Sequence, residues 1–328
     1  MSATLKDVAN LAQVSVCAVS YVINRTGLHK VGKDTQRHIL EAAAKLKYQP
    51  SMAGRALKKG KTFLVGAILP TITSSFVPEM LEGLEDCLNQ ADYSLILCTH
   101  KNIDEFKHKC DILRRKQVDG TVILPEMGDA FLRICDQLAT QMPVAFVAQQ
   151  STNPAIISVC TDGEEVGYLG VKYLLERGHR QICVPAGNNW RIQGYIRAFK
   201  EFGLMFDERM LFPRSNPDQG RKMLQWALKQ KIVPTAFYPY SDMFAMELID
   251  EAAELGFKLP EKFSVIGTDG LSICEVTRPR LTTVAQPRYE QGFKVGELLL
   301  ARISNQDVQN LMLHPYIQER QSVKRLMT

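Results

Sequence analysis

From Phe63 onward, short apolar runs alternate with longer amphipathic segments along most of the chain. Short apolar runs are typical of strands buried in a parallel sheet, and apolar residues three and four positions apart are typical of helices. Strands that alternate with helices predict a doubly wound α/β fold. The predicted strands are 63–69, 94–98, 120–124, 144–148, 181–184, 235–238 and 263–267, and the predicted helices are 78–89, 104–115, 164–177, 192–202, 218–229, 241–255 and 290–303.

The chain is long enough to form more than one sheet. Its 328 residues exceed what one average domain requires. In doubly wound folds, ligands bind beyond the carboxyl ends of the strands. We therefore expect two lobes that face each other across a ligand-binding cleft.

Charge is distributed unevenly along the chain. Residues 1–61 contain eleven Lys/Arg and three Asp/Glu, a balance of +8, whereas the remaining 29 basic and 32 acidic residues give −3. A small basic head on a mildly acidic body is typical of a nucleic-acid-binding module joined to a second function.

Eight cysteines are scattered along the chain without a C-x-x-C pair or a nearby pair of histidines. This pattern argues against a zinc site and against a disulfide framework, and free thiols in this number indicate a reducing compartment. The chain begins without the apolar stretch of a signal peptide, and no apolar run approaches the length of a membrane span. We therefore expect a cytoplasmic protein with no metal, no cofactor and no membrane partner.

The basic head is predicted to contain three short helices. Thr4 and Asp7 have the spacing of a capping box at the start of the first helix, and Ser15 is a suitable N-cap for a second helix that ends near Asn24. Two short helices joined by a tight turn, with a third that closes the core, describe a helix-turn-helix domain. The apolar positions at helical spacing are Leu5, Val8, Ala9 and Ala12 in the first helix, Val19, Val22 and Ile23 in the second, and Ile39, Leu40, Ala43 and Leu46 in the third, which spans about 33–46.

Helical spacing alone leaves two functions open for such a head, DNA binding and protein interaction. The basic charge favours DNA binding. The second helix also carries Ser20, Tyr21 and Asn24, whose side chains can donate hydrogen bonds to phosphates or base edges.

The order of residues in the head resembles that of the lactose-repressor (LacI/GalR) family. The matching segments are Thr4-Leu5-Lys6-Asp7-Val8-Ala9, Val14-Ser15, Ala18-Val19-Ser20, Val22-Ile23-Asn24 and Tyr48-Gln49-Pro50-Ser51. The resemblance implies that the helix starting at Ser15 enters the major groove of double-stranded operator DNA, with Val16, Cys17 and Tyr21 facing the bases. It also implies phosphate contacts by Thr4, Ser15, Ser20, Asn24 and Thr35.

Some head residues depart from the family pattern. Tyr21 stands where an Arg or His is common, and Val16 and Cys17 are apolar where polar residues are frequent. We therefore expect base recognition to depend on contacts such as thymine methyl groups rather than on bidentate Arg–guanine pairs. Gly32 replaces the usual Ser at the cap of the third helix, at a cost of only a few tenths of a kcal/mol.

The segment 49–61 resembles the hinge helix of the same family, which folds when two subunits meet over the minor groove. Leu57 matches the leucine that inserts between base steps and bends the duplex. The alternative interpretation is a solvated basic linker in the DNA-free protein, because Gly54 and Gly60 weaken an isolated helix. The predicted domains are thus a helix-turn-helix domain at 1–48, a hinge at 49–61 and an effector-binding and dimerisation domain at 62–328.

The resemblance continues through the body and implies a periplasmic-binding-protein-like fold. It places lobe 1 at about 62–162 and 291–322, lobe 2 at about 163–290, and chain crossings near 162 and 290. No heptad helix follows the last family-like segment, so we expect a homodimer. The segments that carry the resemblance are Val118-Asp119-Gly120, Gly178-His179, Gly194-Tyr195, Pro234-Thr235-Ala236, Leu259-Pro260, Ser264-Val265-Ile266-Gly267 and Leu281-Thr282-Thr283-Val284.

Carried over position by position, the resemblance implies an effector pocket at Phe76, Arg191, Ser241 and Asp269. Arg191 offers a fixed fork of donors and Asp269 an acceptor, which suits a sugar or related metabolite with hydroxyls or a charged group. The alternatives are an ion pair for Arg191 and core packing for Phe76. Trp190 is compatible with stacking on a ligand or with local packing.

These features predict a transcriptional regulator, a repressor, whose DNA affinity a small-molecule effector modulates. The alternative is an enzyme or sensor that uses the cleft without regulated DNA binding. The six histidines show no metal-ligand spacing, and neither a G-x-S-x-G motif nor a complete phosphate loop is present, so we expect no catalysis. A transport binding protein would share the fold but would carry a signal peptide and no basic head.

Overall fold

The structure is a computed structural model that describes residues 3–48, 60–126, 128–187, 189–213, 219–231 and 233–326. Its contacts divide the chain into a small unit that ends at Phe63 and a large unit that begins at Leu64. Within the described residues, no helix is both long and apolar enough to span a membrane.

The small unit is a bundle of three helices. Thr4 caps the first helix reciprocally with Asp7, as the spacing predicts, and the Ser15 side chain accepts a 3.2 Å hydrogen bond from the amide of Ala18 at the start of the second. The side chains of Val8, Val19 and Ile39 are buried in the centre of the bundle. The helices are α1 Leu5–Ala12, α2 Val16–Ile23 and α3 Lys33–Lys45, with a 3-10 turn at Leu28–Lys30.

One apolar residue of α3 lies outside the core. Leu40 is 54% exposed, whereas Ala42 is buried beside Ile39 and Ala43. Successive helix residues are about 100° apart, so Ile39, Ala42 and Ala43 lie within an arc of about 100°, and Leu40 lies about 60° beyond its edge. The prediction that Leu40 faces inward is therefore wrong.

The large unit contains two six-stranded sheets. All strands of the first sheet are parallel, in the order β11-β5-β4-β3-β1-β2, and they bury an almost wholly apolar core. The elements of this first lobe are β1 Leu64–Leu69, α4 Val77–Gln90, β2 Ser94–Thr99, α5 Ile103–Arg115, β3 Gly120–Ile123, α6 Asp129–Ala139, β4 Val144–Val147 and β5 Ile156–Thr161.

The second sheet has the order β12-β10-β9-β8-β6-β7 and is parallel except for β12, which is antiparallel to β10. A short 3-10 turn follows β9. The elements of this second lobe are α7 Gly163–Glu176, β6 Ile182–Pro185, α8 Asn189–Glu201, β7 Leu211–Phe212, α9 Gln219–Ala227, β8 Ala236–Phe237, α10 Asp242–Glu254, β9 Ser264–Asp269 and β10 Thr282–Ala285.

The chain passes between the two lobes three times, once more than expected. It crosses after β5, after β10 into α11 (Arg288–Ile303) and β11 (Leu311–Leu313) of the first lobe, and again before β12 (Tyr316–Gln318) of the second. The expected first-lobe segment 291–322 therefore runs too far, because residues from 316 onward belong to the second lobe. Strands of three residues are too short to show a periodicity that would have revealed this crossing.

Candidate functional site

One face of α2 carries the residues expected to meet base edges. Val16 is 44% exposed, Cys17 is exposed and Tyr21 is half-buried, whereas Val19 and Val22 point into the core. At about 100° per residue, Cys17 and Tyr21 lie on the side of the helix opposite Val19 and Val22, and Val16 lies at the edge of that side. The structure thus brings the three residues together on a surface that is free of core contacts in its first turn.

The Tyr21 ring is held at the edge of this face. It lies directly against Gly27, where a Cβ atom would approach the ring to 2.7 Å. The ammonium group of Lys30 lies over the same ring, 5.1 Å from its centre. A side chain fixed in this way loses little freedom when it contacts a base.

Three of the residues expected to contact phosphate lie at helix N-termini. Thr4 caps α1, Ser15 caps α2, and Thr35 lies in the first turn of α3. Helix N-termini present free amide donors and a partial positive charge, which attract phosphate.

The other two residues expected to contact phosphate, Ser20 and Asn24, are bonded to each other. The side-chain amide of Asn24 donates hydrogen bonds to the Ser20 carbonyl at 2.9 Å and to the Ser20 hydroxyl at 3.2 Å. Leu57, the expected hinge residue, lies outside the described residues.

In the large unit, two glycines determine where Arg191 lies. A Cβ on Gly167 would meet the Arg191 carbonyl oxygen at 2.4 Å, and one on Gly194 would meet the Glu164 carbonyl oxygen at 2.1 Å. These glycines let α8 lie almost in backbone contact with α7. The first turn of α8 is thereby held beside the loop that follows β8, and the Arg191 side chain is buried there.

Arg191 is fixed against that loop by two contacts with one residue. Its Nη1 donates a 2.7 Å hydrogen bond to the Tyr240 carbonyl, and its guanidinium carbon lies 3.9 Å above the Tyr240 ring. Burial alone would lower the pKa of Arg191, but nearby groups, including Tyr240 and Asp269, together raise it, so the side chain stays charged. The adjacent Ser241 caps α10, with its hydroxyl accepting from the amide of Phe244 at 3.2 Å.

Asp269 ends β9 at the carboxyl edge of the second sheet, where ligands of doubly wound folds bind. Its φ of +122° is unusual for a residue with a side chain. Such backbone strain is concentrated at functional sites. Its Oδ1 accepts hydrogen bonds from Gln286 at 3.0 Å and from Arg288 at 2.9 Å.

Arg288 links the two lobes, and the sequence interpretation missed it. Its guanidinium carbon lies 4.4 Å above the ring of Phe76, the residue before α4 in the first lobe, while its Nη2 donates to Asp269 in the second. Phe76 and Asp269 therefore converge on one cation. A single arginine at the start of a helix carries no sequence signal for burial, because charged residues there are normally exposed.

Asp242, a buried carboxyl group near this edge, has a different role. Burial raises its pKa to about 6, a property often found in catalytic acids. Both oxygens are occupied, however: Oδ1 accepts from the Thr283 hydroxyl, and Oδ2 accepts from the amides of Gly270 and Leu271 at 2.8 Å. Asp242 thus holds the loop after Asp269 in place.

Trp190 and His179 lie in opposite environments, one exposed and one buried. Trp190 is 70% exposed, so it is not part of a core. His179 is fully buried and joins the Thr235 hydroxyl at 3.0 Å to the Lys324 carbonyl at 3.1 Å, which ties the C-terminal segment to the second lobe. These bonds give His179 a structural role.

Together, the described residues form two surfaces of different chemistry. The exposed face of α2 combines apolar, hydroxyl and thiol groups on a basic unit, which suits base edges and thymine methyl groups. The edge of the second sheet combines Arg191, Asp269 and Arg288 with an aromatic ring, which suits a small polar ligand.

Two family models together match nearly the whole chain. Residues 4–51 match the bacterial regulatory proteins of the lacI family, and residues 62–320 match the periplasmic binding proteins and sugar binding domain of the LacI family.

Individual relatives agree with the family models. The chain is 34% identical to the HTH-type transcriptional repressor PurR of Photorhabdus laumondii, over 98% of this chain and 97% of that protein. It is 29% identical to the transcription regulator CcpA of Lactococcus lactis, whose structure covers 80% of this chain with a TM-score of 0.72. The lac repressor dimer bound to operator and the anti-inducer ONPF shares the fold, with a TM-score of 0.84, 23% identity and coverage of 99% of this chain and 100% of that one. The chain therefore belongs to the LacI family of bacterial regulatory proteins, and it is a DNA-binding transcriptional repressor controlled by a small effector.

Proposed function

We propose that this repressor reads its operator through Val16, Cys17 and Tyr21 of α2. The observation that carries the proposal is the exposed face of α2, whose opposite face supplies Val19 and Val22 to the core. A helix in the major groove can contact base edges only through side chains that are free of core packing. The short apolar residues at positions 16 and 17 favour thymine methyl groups.

Phosphate contacts would position this helix on the duplex. Thr4, Ser15 and Thr35 lie at three helix N-termini, and Ser20 and Asn24 form a polar pair at the end of α2. Their donors would fix the register of the head without reading sequence. Leu57 would insert into the minor groove of the bent duplex, as in other members of the family.

We further propose that two copies of the chain bind one pseudo-palindromic operator. A twofold dimer presents two identical heads, so each head meets one half-site. The lac repressor structure that shares the fold is a dimer on its operator.

The effector would bind at the carboxyl edge of the second sheet, in contact with Phe76, Arg191, Ser241 and Asp269. Arg191 and Asp269 are buried, and they offer charged donors and acceptors that water cannot screen well. The effector would be a sugar or related metabolite. Binding would control DNA affinity without catalysis, since Asp242, the buried carboxyl group with a raised pKa, has both oxygens bonded within the protein.

Selection of preferred duplexes from random DNA, followed by measurement of stoichiometry, tests the DNA half of this proposal. We expect enrichment of a site with two inverted half-sites and a complex of two chains per duplex. A single half-site bound tightly by one chain would contradict it.

A further inference from the structure

Arg288 is a buried cation whose hydrogen-bonding capacity is only partly used. Its Nη2 donates to Asp269 at 2.9 Å and its Nη1 to Gln291 at 3.1 Å. Its Nε is buried and has no acceptor among the described residues. An arginine presents five donors in one plane, and a buried donor without an acceptor is costly. The Nε donor therefore represents hydrogen-bonding capacity that the described residues do not use.

The ring of Phe76 fixes the orientation of this cation. The guanidinium carbon lies 4.4 Å above the ring, so stacking restrains the plane that carries the donors. A restrained fork suits a planar or tetrahedral oxyanion, which accepts two parallel hydrogen bonds.

Positive charge exceeds negative charge at this edge of the second sheet. Arg191 and Arg288 are both buried there, and Asp269 is the carboxylate paired with Arg288. Asp242, in the first turn of α10, does not supply a second carboxylate for a ligand. Its two oxygens already accept hydrogen bonds from one hydroxyl and two backbone amides. Apart from Asp242, the buried charges at this edge are thus two cations, Arg191 and Arg288, against one anion, Asp269.

We propose that the effector is a small organic anion whose carboxylate or phosphate group binds Arg288 and Arg191. The inference rests on the proposed effector site and names the ligand's chemical class. The hydroxyl groups of the effector would contact Asp269, because this carboxylate accepts hydrogen bonds but repels the effector's anionic group. A sugar acid or a sugar phosphate fits this division of the site, whereas a neutral sugar leaves the second cation without an acceptor.

Arg288 also gives the anion a physical link to the arrangement of the lobes. It touches Phe76 in the first lobe and Asp269 in the second. An anion that shares Arg288 with Asp269 changes the pairing across the lobes, and only such a difference in binding free energy between two states can shift their equilibrium.

Calorimetry and thermal shift on the full-length protein test the inference with matched probes. Glucose, gluconate, glucose 6-phosphate and inorganic phosphate are compared at constant ionic strength in potassium chloride. We expect at least one of the three anions to bind and glucose to bind at least tenfold more weakly than that anion. Arg288→Gln should weaken binding of the anion by about 10- to 100-fold, the range expected for loss of a hydrogen bond to a charged group.

Two further variants keep the test decisive if Arg288→Gln folds poorly. Arg288→Gln combined with Asp269→Asn removes both charges of the buried pair and should fold while still failing to bind the anion. Asp269→Asn alone should tighten binding of inorganic phosphate, because it removes a competing carboxylate. Arg114→Gln removes an exposed charge in the last turn of α5 in the first lobe and should bind as wild type does.

Three results would overturn the inference: equal binding of glucose and the anions, no binding of any of the anions, or wild-type anion binding by Arg288→Gln. Operator titrations separate these outcomes from failure of the proposed function. If a neutral ligand binds and alters operator affinity, the repressor function stands and the anionic class is wrong. If an anion binds through Arg288 without altering operator affinity, the site is as inferred and the proposed control of DNA binding is wrong.

Discussion

The ring of Tyr21 lies so close to Gly27 that a Cβ atom on Gly27 would be 2.7 Å from it. The glycine therefore sets the position of the one aromatic residue expected to face the bases. Gly27→Ala places a methyl group directly in this contact.

We expect Gly27→Ala to displace the Tyr21 ring and to destabilise the head by about 1–3 kcal/mol, the usual cost of overpacking. Operator affinity should fall with it. Gly32→Ser is the control, because the nearest atom to a Cβ at Gly32 is the Thr35 hydroxyl at 3.9 Å. Chemical denaturation and operator titration measure both effects, and equal behaviour of the two variants would show that the ring does not depend on Gly27.

Tyr21→Ala should change which bases the protein prefers. Loss of a base contact costs about 1–3 kcal/mol at the position that it reads and leaves other positions nearly unchanged. Selection from random duplexes identifies that position. If the variant selects the same sequence as the wild type, Tyr21 does not face the bases.

Operator affinity should fall steeply as salt is added. The first 61 residues carry a net charge of +8, and each phosphate contact releases condensed counterions. The logarithm of the association constant should therefore decrease linearly with the logarithm of salt concentration. A slope near zero would contradict binding through the basic head.

The second lobe should lose stability in acid through His179. Burial lowers the pKa of His179 to about 4, below its ordinary value of 6.5. Between these values the unfolded chain binds a proton that the folded chain does not, so the free energy of unfolding falls as pH falls from about 6.5 to about 4. The shift corresponds to about 3 kcal/mol.

Comparison with His179→Asn isolates this contribution from that of Asp242, whose pKa is shifted in the opposite direction. The difference in unfolding free energy between wild type and variant should be largest at pH 7 and should shrink toward pH 4. A difference that is independent of pH would mean that His179 is not buried in its neutral form.

The helices of the head were predictable because their signals are local. The capping residues Thr4 and Ser15 and the buried positions Val8 and Val19 all appear in the sequence at helical spacing. Most elements of the body were found for the same reason, within one to three residues of their ends. In α6, Phe131, Cys135 and Leu138 have the required spacing, but the prediction omitted this helix.

Other features depend on contacts between distant parts of the chain. Strand β5 is absent from the predicted strands because Ser158 interrupts its apolar run. In the structure the Ser158 hydroxyl is buried and accepts a hydrogen bond from the Ser151 amide. Arg288 is buried only because α11 crosses between the lobes beside Phe76 and Asp269. No local pattern distinguishes such an arginine from an exposed one.

Arg191→Met should weaken effector binding by about 2–4 kcal/mol, because a buried ligand group loses a charge-assisted hydrogen bond. Operator affinity without effector should remain near wild type, since Arg191 lies in the large unit. Calorimetry with the ligand identified by thermal shift measures the first effect, and operator titration measures the second. Unchanged effector binding would remove Arg191 from the site.

Titration of the effector in the presence and absence of the selected operator tests the central claim most directly. If one chain couples the two sites, operator must alter effector affinity by the same factor by which effector alters operator affinity. We predict equal factors in wild type, with the coupling measured by fluorescence anisotropy on labelled duplex and by calorimetry on the complex. Identical effector affinity with and without operator would contradict control of DNA binding by the effector.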